Sequence, residues 1–343
     1  MENYTKWITS SILISILSIA VIFIFTQDKT TIAVIREIRP GYILAALVIH
    51  IFSFVVWGMR VRVMSFTLGH KINLLKASEI VVSGTFVAAL TPSSIGGEPF
   101  RIHLLRQDKM PLGQATAVVV TERLLDTLLM LLAVPFALYL FRGMLSDSRV
   151  DIVLLLGVLL TAVSLILMLG ALLRPLRVKL VINRLLKWMI ERFNGKKIGN
   201  KLSNFSQSID GVINEFNEGV NLFLTDGRAG LFYGAIFTIL YWIVEFSSLP
   251  VILMGLNQPP SVLICFAAQA LLIIIIIVPL TPGSSGVAEL AATSLFSVFM
   301  PASILGIAVL AWRAFTFYVN ILVGGFVSFR LLKDTETVKR YLK

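Results

Sequence analysis

The sequence predicts an all-α, polytopic membrane protein with six full spans and two re-entrant helical hairpins arranged as an inverted repeat. Three observations carry that prediction: the composition, the length of the apolar runs, and a broken motif that occurs twice. Hydrophobic residues make up 57% of the 343 positions and charged residues 14%, and the mean hydropathy is +0.88. A soluble domain carries about 25% charged residues to cover its surface. Buried strands would stop below about 10 residues, and these apolar runs are longer.

A helix needs about 20 apolar residues to cross a bilayer. Runs of that order place full spans at 8–27, 41–59, 112–140, 151–172, 230–255 and 303–328. The first run, Ile8–Phe25, lacks a small-residue cleavage site and reads as a retained helix rather than a signal peptide. Two further apolar regions are interrupted. One is Glu79–Leu90 followed by TPSSIGGEPFR; the other is Ser261–Leu280 followed by TPGSSGVAEL and a second apolar arm to about Met300. An apolar arm, a Pro/Gly/Ser break and a second arm suit a re-entrant hairpin. Broken backbone at membrane depth is tolerated only where it is buried in protein or lines a polar cavity.

Charge sets the orientation. Arg and Lys number 4 in 60–79, 3 in 101–109, 10 in 174–228 and 5 in 329–343, against 3 in 28–40, 2 in 141–150 and none in 256–260. Two re-entrant hairpins put all the richer segments on one side. The positive-inside rule then makes that side, and both termini, cytoplasmic in a cell membrane. The net charge of +11 lies between apolar runs, which points to an anionic leaflet and away from nucleic acid. Segment 174–228 has periodic apolar positions (Leu176, Leu180, Phe205, Ile209 and Phe216 among them). It reads as amphipathic cytoplasmic helices lying on the membrane or packed on the bundle.

The two breaks resemble each other. Thr91-Pro92-Ser93-Ser94-Ile95-Gly96 matches Thr281-Pro282-Gly283-Ser284-Ser285-Gly286 at four positions, with an offset of 190 residues. Arg123 and Arg313 keep that offset, and Glu98 and Glu289 miss it by one residue. The topology gives unit one (about 41–140) and unit two (about 230–328) opposite orientation. Inverted repeats of this kind meet at a midplane substrate site built from broken helices. Pro92 and Pro282 end the first arms; Gly96, Gly97, Gly283 and Gly286 permit the turns.

Charge inside a membrane faces a bundle interior or a cavity. The candidates are Glu98, Arg101, Glu122, Arg123, Asp126, Glu245, Glu289 and Arg313. Glu122 and Asp126 share a helix face, and Glu289 and Arg313 are candidate partners for Glu245. An arginine fork suits a phosphate, so Arg123 and Arg313 are candidate substrate ligands, with Ser93, Ser94, Ser284 and Ser285 as donors. The same charges also serve to neutralise one another, and the hydroxyls to cap short helices. No metal site is expected, because His50, His70 and His103 lack ligand spacing. Cys265 sits in an apolar run, where packing is its expected role.

The stretches GTFVAALTPSSIGGEPFRIHLL, AVVVTERLLD and VPLTPGSSGVAE resemble the flippase-like family, also called the lysylphosphatidylglycerol synthase transmembrane family. The resemblance covers about residues 10–330. Pro92, Gly96, Gly97, Glu98, Arg101, Glu122, Arg123 and Asp126 match its first motif region, and Pro282, Gly283, Gly286 and Glu289 its second. It implies a membrane domain of the type that moves lipid across the bilayer. In bifunctional relatives a separate soluble domain transfers the aminoacyl group, and the 343 residues leave no room for one. Related regions beside glycosyltransferases imply polyprenyl-phosphate or glycolipid substrates.

The leading expectation is a flippase for an anionic phospholipid, polyprenyl phosphate or glycolipid. No P-loop is present, so a lipid gradient or ions would drive it and no cofactor is expected. The alternatives are a membrane-embedded lipid-modifying enzyme using Glu98, Arg101 and His103, an accessory scaffold for a lipid or glycan biosynthesis enzyme, and a transporter of a small soluble anion. Self-association into a homo-oligomer stays open.

Overall fold

A computed structural model describes residues 15–24 except 19 and 22, together with 31–91, 96–142, 148–173, 184, 211, 214–225, 227–277, 281 and 283–333. Its elements are helical, with no strand among the described residues. In chain order they are α1 (Thr31–Arg36), α2 (Pro40–Thr67), α3 (Leu74–Leu90), α4 (Gly97–Gln107), α5 (Leu112–Leu140) and α6 (Ser148–Leu173). There follow α7 (Arg228–Phe246), α8 (Ser248–Gly255), α9 (Val262–Ile276), α10 (Val287–Phe296) and α11 (Ala302–Arg313). A π-helical segment (Ala314–Val319) then runs into α12 (Asn320–Lys333).

Among the described residues, three helical stretches are long and apolar enough to cross a membrane: Pro40–Thr67, Arg228–Gly255 and Ala302–Leu331. They lie where spans 41–59, 230–255 and 303–328 are predicted. Helices α5 and α6 lie at two of the other predicted positions, and the described residues between 15 and 24 are helical within the first. Large apolar side chains such as Leu132, Leu167, Phe232, Phe326 and Phe329 are exposed on the outside of the bundle. That is the surface a bilayer covers and water does not.

Helix α2 corrects one boundary. The expected span ends at residue 59 because Arg60 reads as the first loop charge. The helix instead runs through Arg60 to Thr67, and Arg60 is fully buried. Its charge is met inside the bundle, so it drops out of the loop count for 60–79. Along α2, His50, Ser53, Phe54, Trp57, Arg60, Val61 and Met64 are all buried, at the three- and four-residue spacing of one helix face. That face packs on α7. Small residues on α7 let the two backbones close: a Cβ at Gly230 would meet Thr67 Oγ1 at 2.0 Å.

Two apolar cores divide the bundle. One gathers α2, α3, α4 and the first half of α5 around Val61, Ile80, Leu105 and Val118. The other gathers α8–α11 and the second half of α5 around Leu249, Leu271, Phe296 and Val134. The packing is reciprocal. Helix α3, the first arm of one interrupted region, lies against α12; α9, the first arm of the other, lies against α5. The two breaks also touch, since the Gly283 N–H donates to the Thr91 carbonyl at 3.2 Å.

Most of the predicted amphipathic linker lies outside the described residues. Its helical end, 214–224, packs on the bundle. Val220 and Phe223 enter the first core, and Glu215 Oε2 accepts the Gly113 N–H at 2.9 Å. A carboxylate there meets the positive end of α5.

Candidate functional site

Three polar clusters sit inside this apolar framework. The largest joins α2, α4, α5 and α7 around Arg60. Arg60 Nε donates to Glu122 Oε1 at 2.8 Å. Its Nη1 donates to Asp126 Oδ1 at 2.7 Å and Thr238 Oγ1 at 3.1 Å, and Nη2 donates to Asp126 Oδ2 at 3.3 Å. Two indoles complete the carboxylates: Trp57 Nε1 donates to Glu122 at 3.1 Å and Trp242 Nε1 to Asp126 at 2.9 Å. Burial makes these bonds obligatory, because an unpaired charge in a low-dielectric interior costs several kcal/mol.

Arg101 enters the same cluster from α4. Its Nη2 donates to Glu122 Oε2, and its guanidinium lies 4.9 Å from the Trp57 ring centroid, a cation–π contact. Arg101 is 2% exposed, yet its Nε and Nη1 have no hydrogen-bond partner among the described residues. Beside it, Arg123 pairs with Glu98 and lies 3.9 Å from Asp126. This pair is the accessible part: the Arg123 side chain is 37% exposed and that of Glu98 23%. Three arginines therefore face three carboxylates, with an open edge at Arg123.

The second cluster is built at the other break. Arg313 Nε donates to Glu289 Oε1 at 2.9 Å, and its Nη2 donates to the Gly283 carbonyl at 2.9 Å and Ser285 Oγ at 3.3 Å. Its guanidinium packs 4.1 Å from the Phe317 ring centroid. Glu289 Oε2 accepts the Gly286 N–H at 2.7 Å, and Oε1 also accepts from Ser15 Oγ, which in turn receives the Tyr318 hydroxyl at 3.0 Å. Glu98–Arg123 and Glu289–Arg313 thus occupy corresponding positions after the two breaks. The first is half open, and the second is buried and closed over by residue 15 of the N-terminal segment.

Other predicted residues hold the turns. Ser284 donates to the Ile276 carbonyl and Thr281 to the Ser285 carbonyl, so these hydroxyls serve the backbone. Gly283 and Ser284 both adopt positive φ, 57° and 53°; at Gly283 a Cβ would lie 2.3 Å from the Ala89 carbonyl oxygen. Gly96 donates its N–H to Thr91 Oγ1, and Gly97 presses on the Gly84 backbone. Pro92, Ser93, Ser94 and Pro282 lie outside the described residues.

Glu245 belongs to a third cluster, and its partner is neither Glu289 nor Arg313. His50 Nδ1 lies 3.1 and 3.0 Å from the two Glu245 carboxylate oxygens, and His50 Nε2 lies 3.1 Å from Asn320 Oδ1. His103 is exposed and held by Gln107 on its own helix, so it does not complete a set with the buried Arg101. Sequence reasoning missed Arg60, Trp57, Trp242, His50, Asn320 and Ser15. The four-and-three spacing His50–Phe54–Trp57–Arg60 was a usable signal for the α2 residues; Ser15 and Asn320 carried none.

The chain is similar in sequence to other membrane proteins. A UPF0104 membrane protein of Archaeoglobus fulgidus is 31% identical over 324 residues, covering 94% of this chain and 97% of that one. A UPF0104 membrane protein of Methanothermobacter thermautotrophicus is 22% identical over 305 residues, 86% of each chain. One from Methanocaldococcus jannaschii is 32% identical over 125 residues, 36% of this chain and 37% of its own. No solved structure matches. The family model described as the lysylphosphatidylglycerol synthase TM region matches residues 8–324, a range that takes in both breaks and all three polar clusters. With that match and its apolar helices, this multi-pass membrane protein belongs to the lysylphosphatidylglycerol synthase transmembrane family.

Proposed function

We propose that the chain is a translocase for a lipid with an anionic head group, a phospholipid, polyprenyl phosphate or glycolipid. The observation that carries this reading is Arg101. A buried guanidinium whose Nε and Nη1 meet no acceptor among the described residues, next to a half-open Arg123–Glu98 pair, is a place where phosphate oxygens gain charge-assisted hydrogen bonds. The head group would sit against Arg101 and Arg123 while the tails stay in the bilayer.

The architecture proposed for this activity is six spans and two re-entrant hairpins in an inverted repeat, with both termini cytoplasmic in the cell membrane. Four features support it. Arms α3 and α9 have 17 and 15 residues, so at 1.5 Å per residue they fall short of a core about 30 Å thick. The breaks touch, the arms pack reciprocally, and the two Glu–Arg pairs correspond. One pair open and its counterpart closed is the asymmetry that alternating access between inverted repeats requires.

The test is translocation in proteoliposomes, read by dithionite quenching of fluorescent phosphatidylglycerol and, in parallel, of a labelled polyprenyl phosphate. Wild-type protein should move at least one of them, and Arg101→Gln should slow the movement tenfold or more. Folded, inserted protein that moves no anionic lipid would overturn the reading.

A further inference from the structure

The third cluster takes no part in the head-group site proposed at Arg101 and Arg123. His50 is 2% exposed, and each of its ring nitrogens faces an oxygen acceptor. Asn320 cannot offer its N–H₂ instead, because its Nδ2 is committed to the Thr316 carbonyl at 2.6 Å. With Glu245 ionised, a neutral imidazole has one N–H and satisfies one of these two contacts; a doubly protonated ring satisfies both. Charge balance agrees. Across the three clusters four arginines (60, 101, 123, 313) meet five carboxylates (98, 122, 126, 245, 289). One proton on the His50–Glu245 pair makes the set neutral, which favours burial.

The groups around His50 leave the proton no other holder. Helix α7 presents Glu245 and Tyr241, and α12 presents Asn320. Helix α5 presents Asp126 and Arg123, already engaged with Trp242, Arg60 and Glu98. On α2 itself the next charge, Arg60, lies ten residues along, about 15 Å. Helix α3 carries Lys76 and Glu79 only in its first turns, and α8 has no titratable side chain. The Glu245 side chain is 13% exposed against 2% for His50, so the pair is more open at Glu245.

The π segment links this pair to the second break. π-Helical turns are rare and concentrate at functional sites. Here Phe317 packs on Arg313 and Tyr318 reaches Glu289 through Ser15. One residue past the segment, the Asn320 backbone N–H turns back to the Phe317 carbonyl while its side chain holds Thr316 and His50. Rewinding the segment to α-helix would swing Asn320 away from His50 while Arg313 stayed in place. We infer that His50, Glu245 and Asn320 form a proton-binding site whose occupancy is coupled, through the π segment, to the closed Arg313–Glu289 pair. Only the use of that proton in transport rests on the translocase reading.

The experiment is nitrogen-15 NMR of histidine-labelled protein in nanodiscs, from about pH 5 to about pH 9. The chain has three histidines, so His50→Gln assigns His50, or His70→Gln and His103→Gln do so by elimination if it fails to fold. Expected is a state with protons on both His50 nitrogens that gives up one proton in a single step. Tyr318→Phe, which touches Glu289's bridge and not His50, should shift that step by about fivefold or more in proton affinity, the usual scale of coupling between sites. Phe326→Leu on the exposed face of α12 should leave it unchanged. A His50 ring carrying one proton throughout would overturn the site, and a step unmoved by Tyr318→Phe would overturn the coupling. In proteoliposomes, lipid movement that ignores a pH gradient would sink proton use in transport and spare the translocase. An intact titration without any lipid movement would do the reverse.

Discussion

Replacing Arg60 with methionine removes the hub of the largest polar cluster while keeping most of its volume. Four hydrogen bonds are lost, two residues' carboxylates keep their charge, and both are almost wholly buried. Breaking a buried ion pair by deleting one partner costs about 3–5 kcal/mol. The indole N–H donors of Trp57 and Trp242 remain and hold the cost within that range rather than above it. Asp126→Asn alone strands half of the Arg60 fork and should cost about 2–4 kcal/mol. In the double variant the cluster is neutral again, since one charge of each sign is gone. Its cost should therefore fall below the sum of the single variants by about 2–3 kcal/mol, a coupling of the size seen for residues sharing one network. The assay is reversible unfolding of the purified protein in mixed micelles, all four proteins compared at one ionic strength. A cost for Arg60→Met below about 1 kcal/mol, or a strictly additive double variant, would refute the claim that this arginine extends α2 by cancelling carboxylates inside the bundle.

Arg123→Ala should separate function from folding: with the side chain partly exposed, stability should change by no more than about 1 kcal/mol, while lipid movement drops tenfold or more; lost expression would instead make Arg123 a structural charge. Gly283→Ala adds a Cβ at positive φ against the Ala89 carbonyl and should cost about 1–3 kcal/mol. The same change should weaken a cysteine cross-link placed across the two breaks in a Cys265→Ala background. Gly230→Val should push α7 off α2 at Thr67. Its unfolding midpoint should drop, with a larger loss than for Val at the open position Gly170.

What the sequence made legible and what it hid follow one rule: local constraints can be read in order along the chain, but pairings across it cannot. The ends of α5 match the predicted 112–140 because Pro111 and Arg142 bound a long run that is apolar except around Glu122, Arg123 and Asp126. The residues of the two Glu–Arg pairs are legible as candidates because each set lies within one motif and its following helix; their pairing is not, since Glu289 and Arg313 read as partners of Glu245. Arg60 was misread as a loop charge because its neutralising carboxylates lie 62 and 66 positions away, and hydropathy alone treats every arginine as a boundary. His50 and Glu245 are separated by 195 positions and His50 and Asn320 by 270; no periodicity relates them. Ser15 lies 274 positions from Glu289 and 303 from Tyr318.

The hidden residues are not a random remainder. His50, Asn320 and Ser15 all lie where the N-terminal half meets the π segment or the second break. A translocase built from two halves must have contacts that form in one state and release in the other. Such contacts join distant parts of the chain by necessity, so a local reading misses them by the same necessity. On the translocase reading proposed above, the moving parts would be the π segment and its partners, and the Arg60 cluster, with its three-fold charge match and its two indole caps, would be the fixed floor against which they move.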